Sequence, residues 1–286
     1  MRRAAFLLAT ALAVSPAAGA ALRVTLTPAT PPQGGIVRVE VSDDAPLSTV
    51  VLVDGERRAP LAPDASGRRF TGLVGVDFEA APGTRTLVLE GRDAAGAEIT
   101  ASTRLRVTAR TFPVQKLSVD PKYVEPPPEE RERIERDRAA FARAFASSRP
   151  GALWAGGFRR PASGEMRNFG ARRVYNGRTR SRHAGLDVAA PAGAPVVASA
   201  AGRVALAGEF YFSGGSVVLD HGDGLFTMYF HLSRIDVKEG DSVAAGARLG
   251  AVGATGRATG PHLHWAARLA GARVDPLALL LLPARP

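Results

Sequence analysis

The chain of 286 residues contains 5 histidines, and all of them fall in its last third or close to it. Four sit in three short motifs: His183-Ala184-Gly185-Leu186-Asp187, Met228-Tyr229-Phe230-His231-Leu232 and Gly260-Pro261-His262-Leu263-His264-Trp265. Residues two apart on a strand point to one face, so the third motif aims His262 and His264 at the same place. A pair of imidazoles with a carboxylate is a suitable donor set for Zn²⁺, and a catalytic zinc keeps a further position for water. Singly, a His-x-His or a His-x-x-x-Asp is more often a satisfied pair in a core or on a surface. The joint occurrence of these motifs in one region is what gives them weight. The chain has no cysteine, which excludes disulfides, thiolate catalysis, thiolate zinc sites and iron–sulfur clusters. A metal here must be held by His, Asp or Glu.

The other chemical candidates carry blander readings beside the functional ones. His221, in Asp220-His221-Gly222 at an expected turn, reads as a structural residue whose ring bonds the backbone. Tyr229 has the strand parity of His231, which leaves open a hydrogen bond to a substrate carbonyl or a packing role. Glu209-Phe210-Tyr211-Phe212 reads as a peptide-binding rim or, with more weight, as a strand with one buried face. The glycine clusters near Gly202, Gly222 and Gly256 lack the Lys-Ser/Thr context of a phosphate loop.

Two β-rich blocks and a connector must position these residues. From Leu22 to Thr108 apolar residues alternate, as in Ile36-Val37-Arg38-Val39-Glu40-Val41, and turn signals such as Asp54-Gly55 and Asp93-Ala94-Ala95-Gly96 separate them. About seven short strands at this spacing predict an antiparallel, immunoglobulin-like β-sandwich over 21–110. That block has no histidine, and it reads as a spacer or binding module apart from the chemistry. The segment 111–150 reads as a Pro-rich connector. Pro126-Pro127-Pro128 interrupts it, and a charged helix then opens with acids in its first turn, where they suit the helix dipole. Ile134, Phe141 and Phe145 form a narrow stripe on that helix, which predicts packing against a neighbour. Its acids and bases alternate, as on a solvated face and not as in a nucleic-acid patch. The block 151–286 is again strand-like and richer in glycine.

Hydrophobic residues make up 45% and charged residues 22%, an ordinary globular composition that excludes a disordered chain. The formal charge is +10, with Lys116, Lys122 and Lys238 the only lysines. Residues 1–20 combine a short positive start, an apolar run from Ala4 to Val14 and the small residues Ala18-Gly19-Ala20, the pattern of a secretory signal peptide. The apolar run is well short of the ~20 residues that span a bilayer. The expectation is therefore an exported, basic protein of the periplasm or cell envelope, with no membrane span after signal removal.

The stretch from about Asn168 to Pro276 resembles the lysostaphin-type, LytM-like zinc endopeptidases that cut peptidoglycan cross-bridges. Phe169-Gly170, the His183–Asp187 motif, Ala190-Pro191-Ala192-Gly193-Ala194-Pro195-Val196, Asp220-His221-Gly222-Asp223-Gly224, Gly253-Ala254-Thr255-Gly256 and Gly260–Trp265 carry the resemblance. It implies a C-terminal antiparallel β-sheet peptidase domain with His183, Asp187 and His264 as ligands of one Zn²⁺ per chain. It also implies that His262 and His231 form the catalytic pair, one acting as general base and both able to stabilise an oxyanion. The implied function is hydrolysis of peptidoglycan peptides by water activated on zinc. Gly214-Gly215-Ser216 and Arg167-Asn168-Phe169-Gly170 depart from the family pattern outside the ligand set. A second reading is a catalytically silent adaptor that binds and activates a cell-wall amidase; such adaptors typically lose zinc ligands, and here every ligand position is filled. A third makes the positive charge the point, as attraction to anionic envelope polymers. Nucleic acid is excluded as a partner for lack of a binding module.

Overall fold

The computed structural model describes residues 22–284; the expected signal segment 1–20 lies outside the described residues. The molecule is mainly β with one long helix. In the N-terminal block the alternation works as expected. Val37, Val39 and Val41, Val50 and Leu52, Leu87 and Leu89, and Leu105 and Val107 all point inward and are buried. They come from two four-stranded antiparallel sheets. One runs Arg23–Thr27, Ile36–Ser42, Arg69–Gly75, Ala62–Pro63; the other runs Arg57–Pro60, Leu47–Asp54, Gly83–Asp93, Glu98–Val107. Their inner faces share one apolar core. The turn at Asp54-Gly55 closes a hairpin, with Gly55 at φ +61°, a backbone conformation glycine adopts without steric cost.

The C-terminal block is built on a ten-stranded sheet. Its main path runs Met166–Arg167, Gly185–Val188, Leu263–Leu269, Leu225–Ile235, Gly214–Asp220, Gly202–Phe210, Ser242–Val243. One face, carrying Leu219, Tyr229, Trp265 and Ala267, closes on the main core with Trp154, Phe158 and Leu249. The opposite face carries Phe226, Met228, Phe230 and Ala266 and receives the helix α1, Arg131–Ala146. The expected stripe makes this contact. Phe141 meets Phe210 at 4.9 Å and Phe230 at 5.7 Å between ring centroids, and Phe145 meets Phe226 at 5.3 Å. Phe210 is buried under Phe141, and Tyr211 is buried against Tyr123 with its hydroxyl donating to Lys122 O at 2.8 Å, so the aromatic run is a platform for the connector and not an open rim. Beneath α1 lies an apolar cavity of about 470 Å³ that reaches His264. No described helix is long and apolar enough to cross a membrane.

Between the blocks, Val114–Leu117 adds a parallel strand to Arg172–Tyr175, which pairs with Thr179–Arg182. Phe78 is fully buried at this joint, with Phe112 and Phe169 meeting it edge-on at 6.0 and 5.5 Å. The Arg273 guanidinium lies 4.5 Å from the Phe78 ring centroid and pairs with Asp77 at 2.9 Å and Glu79 at 2.7 Å. Arg110 pairs with Asp275 at 2.8 Å. Apolar burial at the centre and partly buried ion pairs around it hold the halves together. Phe78→Ala is expected to lower stability by about 3–5 kcal/mol, the range for deleting a buried Phe, read as an earlier urea midpoint; an unchanged midpoint would show that the joint adds nothing.

Candidate metal centre and its surroundings

Strand register brings the first two donors together. Gly185–Val188 and Leu263–Leu269 pair antiparallel with Asp187 directly opposite His264, and opposed residues have Cβ atoms only about 4.5–5.5 Å apart. Gly185 leaves the room this requires, because a Cβ there would stand 2.6 Å from His264 Nε2. His183 enters just ahead of the strand. Its Nδ1–H donates to the Asn168 carbonyl at 2.7 Å, which fixes the tautomer and leaves a lone pair on Nε2. That nitrogen lies 2.8 Å from His264 Nδ1 and 3.1 Å from Asp187 Oδ1, and the last two atoms are 3.7 Å apart.

Asp187 uses its two oxygens differently. Oδ2 receives the Arg173 guanidinium and, at 3.4 Å, the Asn168 side-chain amide. Oδ1 is buried and accepts no hydrogen bond among the described residues. A proton shared between the two imidazoles would relieve their facing lone pairs but leave Oδ1 bare; one cation satisfies all three atoms. For bonds of about 2.0–2.1 Å a tetrahedral centre separates its donors by about 3.3 Å, and the observed triangle brackets that value. The residues therefore fit a zinc ion. Burial pushes the Asp187 carboxyl up, but the contacts from His183 and His264 and the Arg173 charge outweigh it and hold the group well below the usual carboxylate range. Burial lowers His183, and it lowers His264 to about 4 against the opposing pull of Asp187. At neutral pH the set offers one carboxylate and two neutral imidazoles, the protonation state a metal needs.

The two other histidines of the motifs stand beside this cluster. His262 Nδ1–H donates to Gly260 O at 2.8 Å, and Nε2 lies 3.6 Å from Asp187 Oδ1. The His231 ring lies 4.9 Å from that of His262 and 6.0 Å from that of His264. His231 Nδ1–H donates to Thr255 O at 2.8 Å. Burial first, then the neighbouring His264 and His262, push its pKa down to about 3, so it is neutral. His231 has φ +65°, a left-handed conformation that is rare for a residue with a Cβ and tends to occur at functional sites. Phe230 stacks flat on His264 at 5.4 Å and touches Phe141 of α1, so the helix backs a donor ring.

Strand parity misleads at Tyr229. The φ reversal at His231 and a bulge on its own strand, where Phe230 and His231 oppose the single Ser216 of the paired strand, turn His231 toward the cluster, while Tyr229 stays fully buried. The Tyr229 hydroxyl bonds Ser199 at 2.8 Å and Thr227 at 2.9 Å inside the core. Thr227 Oγ1 in turn donates to His221 Nε2 at 2.7 Å, and His221 Nδ1–H donates to Ala201 O at 2.7 Å. His221 is structural, as read from its turn. Arg173 and Asn168 escaped sequence reading as partners of Asp187. The bond from Arg173 Nε to Gln115 Oε1, 3.0 Å, spans 58 positions and has no local signature.

Two outcomes follow from this geometry. Burial lowers His221 to about 4 from an ordinary 6.5. Between those values the unfolded chain binds a proton that the folded chain does not, so stability is complete above about pH 6.5 and falls as the pH drops toward 4. Urea titrations of the metal-free protein should show His221→Gln losing about 1.4 kcal/mol per pH unit of that slope; an unaltered slope would refute the assignment. Arg173→Lys keeps the charge but not the fork that spans Gln115 and Asp187. Chelator competition should show its zinc affinity reduced about 10–100-fold, the usual effect of losing such an outer contact.

Comparison with known proteins agrees with this geometry. The peptidase family M23 model matches residues 181–276. A Pseudomonas aeruginosa protein, described as a candidate M23 peptidase, has a crystal structure similar over 88% of this chain and 95% of its own, with 34% identity and a TM-score of 0.66. The DD-carboxypeptidase/endopeptidase Mpg of Neisseria meningitidis is 46% identical over 99 residues, 35% of this chain and 23% of that protein. The peptidoglycan DD-endopeptidase ShyA of Vibrio cholerae is 44% identical over 99 residues, 34% of this chain and 23% of that protein. The chain thus aligns with less than a quarter of the length of these two relatives, while the family match spans all five histidines. Similarity along nearly the whole length of the Pseudomonas protein, together with the family match across the donor cluster, places this chain in the peptidase M23 family.

Proposed function

We propose that the protein is a zinc endopeptidase that hydrolyses peptide cross-links of bacterial peptidoglycan in the cell envelope. The observation that carries this reading is the bare Asp187 Oδ1 converging with His183 Nε2 and His264 Nδ1. These three would hold zinc, which when bound supplies an acidified water and polarises the scissile carbonyl. His262 is the general base. Its Nδ1 is committed to Gly260 O, so Nε2, which lies 3.6 Å from Asp187 Oδ1 beside the donor cluster, is the atom that accepts the proton. His262 then returns that proton to the leaving amine. His231 is fixed by Thr255 O in the same sense and stands opposite the His262 ring, completing the polar wall around the developing charge. The name of ShyA, a peptidoglycan DD-endopeptidase, supports peptidoglycan as the substrate. A filled, convergent donor set favours an enzyme over the silent adaptor. We read residues 1–20 as a signal peptide, 21–110 as an immunoglobulin-like module, 111–150 as the connector and 151–286 as the catalytic unit.

The test is purified full-length protein incubated with defined muropeptides, with products identified by mass. His262→Ala and His231→Ala are expected to keep their zinc and lose about 10²–10⁴-fold in rate. His183→Ala, Asp187→Ala and His264→Ala should lose metal and activity together. A His262→Ala protein with normal turnover would remove the base from the mechanism.

A further inference from the structure

Beside the metal centre a polar cleft of about 240 Å³ opens between Gln115, Asn168, Arg173, Tyr175, Arg257 and His262. Of the arginines on this cleft, Arg173 is bound to Asp187 and Gln115, and Arg167 pairs with Glu165 at 3.4 Å. Arg257 differs. Its guanidinium carbon lies 4.6 Å from the Tyr175 ring centroid and 4.9 Å from that of Phe212, and no described carboxylate pairs with it. The aromatic faces hold it in place but supply no counter-charge. Burial, and then the neighbouring Arg173 cation, disfavour its charged form despite Tyr175, though a guanidinium stays protonated throughout the working range. A half-buried, uncompensated cation is costly unless a ligand neutralises it.

The cation is also fixed relative to the chemistry. Arg257 N–H donates to Phe212 O at 2.8 Å, and two residues earlier Thr255 Oγ1 donates to Leu232 O at 2.8 Å while its carbonyl holds His231. The loop ends where His262 N–H donates to Gly253 O at 3.1 Å. One clamped loop thus carries Arg257 and places both histidines.

We infer that Arg257 is the anchor for a free carboxylate on the peptide substrate, next to the bond that is cut. This rests on the peptidase reading above. A planar fork receives a carboxylate through two parallel N–H···O bonds, and aromatic walls on the guanidinium keep that fork from turning away.

The test uses a peptide pair that differs in this one group: diacetyl-L-lysyl-D-alanyl-D-alanine and its C-terminal amide. Zinc-loaded full-length protein should cleave the acid with a KM about 10–100-fold lower than the amide, as expected for a charge-assisted contact. Arg257→Gln should raise KM for the acid by that factor, leave the amide unchanged and keep the zinc content. Arg257→Lys should fall between, since it keeps charge without the fork. Binding of both peptides to zinc-loaded His262→Ala protein, measured by calorimetry, separates the two claims. If neither these peptides nor cross-linked muropeptides are cleaved but the acid binds better and Arg257→Gln erases that difference, the anchor stands and the peptidase reading falls. If both are cleaved and bound alike, or Arg257→Gln weakens both equally, the anchor is overturned and the peptidase reading survives.

Discussion

Asp187 divides its carboxylate between two duties, and much of the C-terminal block is arranged around that division. One oxygen is tied to the Arg173 guanidinium; the other is turned, bare and buried, toward two imidazole lone pairs. Burying a carboxylate is expensive, and the penalty is offset only where charge or hydrogen bonds meet it. Arg173 meets half of it. The other half is met when a cation sits among the donors, so the local architecture has a built-in demand for metal.

Meeting that demand requires elements from distant parts of the chain. Register sets Asp187 against His264, the Asn168 carbonyl selects the His183 tautomer, and Gln115, on a strand upstream of α1, braces Arg173. The block richest in chemistry therefore leans on the segment that precedes it. From the opposite face, α1 presses Phe141 against Phe230, which stacks on His264. The N-terminal sheets add a second support through Phe78 and its surrounding ion pairs. Rigid backing of this kind holds the donors and the neighbouring histidines in one geometry.

Around the cluster, a strained strand residue and an uncompensated charge meet at one loop. His231 takes a left-handed φ, and the Thr255 carbonyl that fixes its ring belongs to the loop that also carries Arg257 and leads into His262. The same few residues thus orient both histidines and present an unneutralised cation to the cleft.

The sequence by itself determined a good deal. Period-two alternation marked most strands of the N-terminal block, because each has one buried and one wet face. The Ile134, Phe141 and Phe145 stripe foretold that α1 would dock. Absence of cysteine limited any metal to His and carboxylate donors, and the motif around His262 and His264 located them. The outer contacts were not legible. Arg173 and Gln115 meet because two strands 58 positions apart run parallel, and nothing local to either residue encodes that pairing. Strand parity assigned Tyr229 and His231 to one face, and it failed because a φ reversal and a bulge on their strand turned only His231 toward the cluster. Local pattern reports which face of an element is buried; which side chains share a charge, a tautomer or a cleft is decided only when the elements meet.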